Sequence, residues 1–244
     1  TYTIKQDIFN KMRTTKNIRL LTVNFDLELN YSDIYRFRSA VIETTRRKND
    51  LFHNHSPNGT IYRYPLIQYK RLNKKAALLC IEEGIEGIQD FFTETNWQLN
   101  IGHNTHPVKV ENLRVRQHRI GVWDKSFQYT LTRWLPLNQE NYRKYHNLEN
   151  FGQKIVLLEK ILLANILSFL QGINLYVEEK IEIKIKHILN QRLENYKGQE
   201  MEAFSLRFVT NVSLPNYIGL GKGSSSGFGT IKESSEEKQQ NESK

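Results

Sequence analysis

The 244 residues carry 35 Lys and Arg against 26 Asp and Glu, a formal net charge of +9, and 39% of them are hydrophobic. That length suits two domains of about 100 to 120 residues or one large one, and the positive excess favours a polyanionic partner through counterion release and steering. The lone Cys80 excludes a disulfide framework and a thiolate zinc site and fits a reducing, cytoplasmic setting, while the longest apolar-rich stretch, residues 155–170, contains Glu159 and Lys160, so no membrane span is expected.

Residues 1–16 are polar with scattered Ile4, Ile8, Phe9 and Met12, and read as an N-terminal arm. Alternation of Leu21, Val23, Phe25, Leu27 and Leu29 predicts a strand over 18–30. Asp33 offers a helix N-cap, after which Ile34, Phe37, Ala40 and Val41 recur at helical spacing. Residues 51–59 form a loop with Phe52-His53-Asn54-His55, between a helix and a strand where functional side chains often sit. A strand over 63–70 follows, its Pro65 implying a sheet edge or strand start. Residues 73–75 turn the chain into a further strand over 76–81, then a helix over 84–92, then strand-like alternation over 97–122. Strand, helix, strand, strand, helix, strand is the order of a ferredoxin-like unit.

A second cycle starts near Lys125. A strand over 127–135 ends at Pro136, and residues 150–170 form the strongest helix, its Ile155, Leu158, Ile161, Leu162, Ile166 and Phe169 a core stripe and Gly172 its expected C-cap. Strands are predicted over 181–188 and 203–212; the second helix of this unit is missing or replaced by 189–202. The polar tail 233–244 has nothing to bury and is expected to be disordered.

Residues 218–231 hold a glycine-rich run, Gly219-Leu220-Gly221-Lys222-Gly223-Ser224-Ser225-Ser226-Gly227-Phe228-Gly229. Its glycines, one Lys and three Ser suit a phosphate-rich polymer better than a hydrophobic core. It is neither a P-loop, which needs Gly-Lys-Ser/Thr opening a helix, nor a dinucleotide fingerprint, which needs a strand-helix-strand unit downstream. Gly-x-Gly, five residues, Gly-Phe-Gly and a short β-branched run resemble the C-terminal glycine-rich loop of the repeat-associated mysterious protein (RAMP) superfamily of CRISPR systems, and most of all its endoribonucleases that cut repeat transcripts into guide RNAs.

The resemblance implies an α+β fold of two tandem ferredoxin-like, RNA-recognition-like domains, here 17–124 and 125–232. It also implies a metal-independent cleavage in which the substrate's own 2′-hydroxyl attacks phosphorus, leaving a 2′,3′-cyclic phosphate. Such a reaction needs a base, an acid and positive charge, which histidine, lysine and arginine supply. The family's histidine lies shortly after the first helix, which matches His53 and His55, with His55 favoured because it is nearer the next strand. Tyr35, Arg38 and Lys70 are the candidate stabilisers. Gly219, Gly221, Lys222, Gly223, Ser224, Ser225, Ser226, Gly227 and Gly229, with Arg38, Arg114 and Arg116, are the candidate RNA contacts, and His118, Arg119, Lys184 and Lys186 add further basic groups. No cofactor is expected and no metal, since His53, His55, His103 and His106 lack thiolates and a close carboxylate. A contiguous His-Asn-His likewise does not build the metal nuclease of that name. The implied partner is CRISPR repeat RNA, with other effector subunits or a second copy as further partners. A non-catalytic RNA-binding subunit would share the fold, charge and loop, and an RNA-recognition-like protein outside CRISPR would need exposed aromatics on a sheet.

Overall fold

The computed structural model describes residues 14–45, 55–56, 59–60, 64–94, 96–102 and 104–234. Most of the expected arm, His53, the His55 side chain, His103 and the tail from residue 235 lie outside the described residues.

The alternation of β1 (Thr15–Glu28) sorts its side chains onto two faces. Leu21, Val23 and Phe25 enter a core with Ile34, Phe37 and Val41 of α1 (Ile34–Thr44) and Ile88 and Phe91 of α2 (Glu83–Glu94). Ile18 and Leu20 enter a second, larger core. Asp33 sits at the N-cap of α1, as expected, but makes no side-chain cap bond and instead pairs with Arg36. A turn of 3-10 helix (Tyr31–Asp33) precedes it. Beyond α1, β2 (His55–Ser56) and β3 (Gly59–Thr60) form a minimal hairpin. The strand after Pro65 runs as β4 (Ile67–Leu72), turns at Asn73 and Lys74, and returns as β5 (Lys75–Ile81).

The alternation over 97–122 resolves into three strands. β6 (Gln98–Ile101) and β7 (Asn104–Pro107) make a hairpin that packs beside α1. β8 (Val110–Trp134) is a single strand of 25 residues. Its first half, Val110 to Gly121, pairs with β1, and its second half, Val122 to Trp134, pairs with β10 (Gln199–Val212). The junction placed at 124/125 therefore falls inside one strand shared by both units.

The main sheet runs β4-β5-β1-β8-β10-β9, with β9 (Ile183–Tyr196) at its end and β11 (Thr230–Glu233) on the free side of β8. In each unit the order is second, third, first, fourth strand, every neighbour antiparallel, which is the ferredoxin-like arrangement. The second unit lacks its second helix. Residues 189–202 do not replace it, as they form the β9–β10 hairpin; the glycine-rich run occupies its place in the chain, between β10 and β11.

Two helices follow β8. Sequence periodicity does not reveal α3 (Gln139–Asn147), which buries only Tyr145. Asn150 caps α4 (Phe151–Gly172), its side chain accepting from Gly152 N. At 22 residues α4 is long and apolar enough to cross a bilayer by length and composition, contrary to the expectation from sequence. Its Leu158, Leu162, Ile166, Phe169 and Leu170 are buried in the larger core, between the sheet faces of both units. Glu159 accepts from Ile185 N and pairs with Lys184, and Asn165 accepts from the Trp134 indole. Gly172 is not the cap but the last helical residue, where a Cβ would stand 2.2 Å from Cβ of Tyr64.

Candidate nucleic-acid interface

The glycine-rich run does not hang free of the core, as its composition suggested. Ile218, Leu220 and Phe228 are buried, and within the run only Lys222 is exposed. Leu220 N donates to Gly229 O at 2.8 Å and Ile231 N to Ile218 O at 3.0 Å, so the run folds back on itself. Gly229 has a φ of +60° and an added Cβ would stand 1.9 Å from the Leu220 carbonyl oxygen; this is where the Gly-Phe-Gly signature has its physical cause.

The first unit grips the run from below. Tyr69 N donates to Ser225 O at 2.8 Å, which extends the outer edge of β4. Tyr64 donates its hydroxyl to Gly219 O at 2.8 Å, while Gln68 donates to that hydroxyl and accepts from Gly219 N. Lys70, fully buried, donates to Ser224 O and Thr230 Oγ1 at 3.2 and 3.3 Å. Burial pulls its ammonium down to about 7, since desolvation disfavours the charged form.

Above the run lies a ladder of cations and rings that crosses from one unit to the other. The Arg71 guanidinium stands 4.6 Å from the Tyr31 ring centroid, Arg133 lies 4.3 Å from Tyr31 on one side and 4.4 Å from Phe228 on the other, and Phe228 meets Tyr196 edge-on. Lys222 closes the series 5.5 Å from the Tyr196 ring. Arg133 owes its place to a β-bulge. Thr132 and Arg133 oppose the single Ser205 of β10, and Arg133 has a φ of +51°, so Trp134 returns to the core while the guanidinium, itself buried, turns toward Tyr31 and Phe228. There it makes a two-point pair with Glu194, at 3.0 and 2.9 Å. Burial works to raise the Glu194 carboxyl, but Arg133 and Arg192 together hold it below the usual carboxylate range.

From α1, Tyr35 is 53% exposed, and Arg38 lies 5.8 Å from the Tyr69 ring. α1 meets the run at Ile34, whose Cδ1 would stand 2.5 Å from a Cβ placed on Gly227, and the Tyr196 phenol, pushed up by burial, is drawn down by Arg38 and pushed up by Tyr35. Of the residues singled out in sequence, Tyr35, Arg38 and Lys222 converge on this seam, with Lys70 and the serines just beneath. Arg114 and Arg116 do not; they are exposed on the first half of β8, separated from the run by β1, β5 and β4. Tyr31, Arg71, Arg133, Glu194 and Tyr196 were missed, because nothing in a linear pattern marks residues that meet only when the sheet curls. Among the described residues no three His, Cys, Asp or Glu side chains gather as metal ligands.

Two family models match in tandem: one described as the Cas6b N-terminal domain over residues 16–119, the other as the Cas6b C-terminal domain over 121–234. A solved structure described as the crystal structure of Cas6b is 26% identical with a TM-score of 0.80, covering 90% of this chain and 100% of that one. A structure of a CRISPR RNA processing endoribonuclease Cas6b is 24% identical with a TM-score of 0.69 at the same coverage. An uncharacterized protein of Methanocaldococcus jannaschii is 33% identical over 135 residues, 55% of this chain and 90% of that protein.

Proposed function

The chain belongs to the Cas6b family, and on that premise we propose that it is an endoribonuclease that processes CRISPR RNA, cutting precursor transcripts within the repeat without a metal ion. An imidazole takes the proton of a ribose 2′-hydroxyl, whose oxygen bonds to the adjacent phosphorus. The bond from that phosphorus to the next nucleotide's 5′-oxygen breaks as an acid protonates the departing oxygen. The products are a 2′,3′-cyclic phosphate and a 5′-hydroxyl.

His55 is the proposed base, with His53 its neighbour candidate. Arg38 and Lys222 oppose the charge that builds on the non-bridging phosphate oxygens, and Tyr35, exposed on α1 one turn before Arg38, offers a hydroxyl. Lys70 serves from below by fixing the Ser224 carbonyl, and so the height of the glycine-rich run. The observation that carries this reading is the meeting of the 3-10 turn and first residue of α1, the end of β9 and the glycine-rich run along one cationic, aromatic seam.

The test is a labelled repeat RNA incubated in EDTA, with and without a 2′-deoxy substitution at the cut. Cutting that persists in EDTA and stops on the deoxy substrate is expected; cutting that needs a divalent metal, or that proceeds on the deoxy substrate, overturns the mechanism. Binding with no cutting at all returns the chain to the RNA-binding subunit reading. His55→Ala and His53→Ala, made singly, then assign the base, with a loss of about 10²- to 10⁴-fold at the true one.

A further inference from the structure

A second aromatic feature lies outside the seam. Trp97 follows α2 in a left-handed backbone, φ +61°, which is strained for so bulky a residue, and the residue is 39% exposed. Phe91 meets it edge-on at 81° and Phe92 at a 41° tilt. In front of it is a largely apolar recess of about 780 Å³, framed by Pro107 and rimmed by Asp26, Asn96, Gln98 and Lys109. The rim is pre-ordered: Asp26 Oδ1 accepts from Lys109 N at 2.8 Å, Asn96 Oδ1 from Gln98 N at 3.1 Å, and Val108 N donates to Trp97 O at 2.8 Å. The exposed Lys109 ammonium is left for solvent or an anion, its backbone alone making the link to Asp26.

Strain spent on displaying an indole beside a roomy apolar floor, with polar groups only at the rim, fits a flat heteroaromatic ring that carries a phosphate. We infer that this recess takes an unpaired nucleobase of the RNA flank, stacked on Trp97 with its phosphate near Lys109. The β6–β7 hairpin leads from the recess to α1: its turn residue Gly102 lies near the Arg36 side chain, one residue from Tyr35, while Gln98 and Pro107 at its base line the recess. Arg36 is itself well exposed and supplies positive charge along that path. Asp26 keeps a second carboxylate oxygen, an acceptor for an exocyclic amine, so adenine, guanine or cytosine fits better than uracil.

This inference rests on the chain being an RNA-binding Cas6b protein, and its test separates the two. Repeat RNA with a 2′-deoxy block at the cut is made in versions that carry the fluorescent base 2-aminopurine at successive unpaired positions. With the whole protein, one flank position is expected to be quenched on binding. Trp97→Ala is expected to remove that quench and weaken binding about tenfold, the scale of one base–aromatic stack. Lys109→Glu, a surface change away from the packed rings, is expected to weaken the same RNA and to lower the slope of log affinity against log salt, while an RNA lacking the flank binds the two variants and the parent alike. If no position is quenched, or if the quench survives in both variants, the recess is not a base site. Loss of the cut in EDTA by the parent protein on unmodified RNA would instead strike the endoribonuclease reading and leave the quench to be judged by itself.

Discussion

Lys70 shows how one side chain can set the chemistry around it. Its ammonium is buried against two neutral acceptors, the Ser224 carbonyl and the Thr230 hydroxyl, and its proton is held only to about pH 7. An unfolded lysine keeps its proton to about 10.4. Between those values the unfolded chain binds a proton that the folded chain does not, so this residue's contribution to stability rises with pH across the window and is at its worst below 7. Urea midpoints of the parent protein and of Lys70→Met, measured at pH 6 and pH 9, test this. The parent should gain on Lys70→Met at the higher pH, by an amount on the order of 2 to 3 kcal/mol; equal pH trends would show that the ammonium is not desolvated. Lys222 lies at the opposite extreme, exposed above the Tyr196 ring. Lys222→Ala should weaken RNA binding whatever the sequence and reduce the salt slope by about one, as read by titration at several salt concentrations. Lys222 was legible because it sits in a conspicuous glycine run, whereas Arg133 reads as one more polar residue in a strand. Only the bulge opposite Ser205, set by pairing with a strand some seventy residues later, turns it toward Tyr31 and Phe228.

Elements with a clear period were legible and those that share or interrupt one were not. β1, α2 and α4 announce themselves by spacing, because each lays an apolar stripe on a core. β8 hides its continuity, since Asp124, Lys125 and Ser126 in its middle are solvated and read as the start of a second cycle. α3 hides because one buried tyrosine makes no stripe. The glycine-rich run was legible as unusual but not as packed, for glycine composition reports backbone freedom and says nothing of what fills the space beside it. Two glycines with similar torsions separate these meanings. Gly229, φ +60°, has the Leu220 carbonyl oxygen 1.9 Å from where its Cβ would be, while Gly198, φ +82°, in the β9–β10 turn has nothing within 4 Å. Gly198→Ala should cost about 1 kcal/mol, the backbone term alone. Gly229→Ala should cost roughly 2 to 4 kcal/mol and weaken RNA binding besides, because the Leu220–Gly229 link must open. Urea unfolding of the two variants measures the difference, and equal losses would mean that the run yields freely.

At the scale of the molecule the two units are legible as a duplication but not as a fused one. A chain of this length commonly unfolds in more than one step, domain by domain. Three features oppose that here. β8 is a covalent part of both sheets, so neither unit can lose its central strand without the other. The larger core takes Ile18, Leu20, Leu79 and Ile81 from the first unit and Leu158, Leu162, Phe204 and Phe208 from the second, around one helix. The glycine-rich run ties the outer edge of β4 to β8 through Tyr69 and Ser225 on one side and Leu135 and Lys222 on the other. Separating the units would bare both sides of that core and strand Lys70 and the Arg133–Glu194 pair, groups whose partners lie across the seam or against it. Calorimetry of the whole chain should therefore give one transition, with the calorimetric enthalpy equal to the van't Hoff enthalpy. Residues 16–119 expressed alone should lack a cooperative melt, since α4, which shares the larger core with Ile18 and Leu20, is then missing. Two resolved transitions, or a cooperative melt of that fragment, would mean that the shared strand couples the units only weakly, and that the seam can open without unfolding either side.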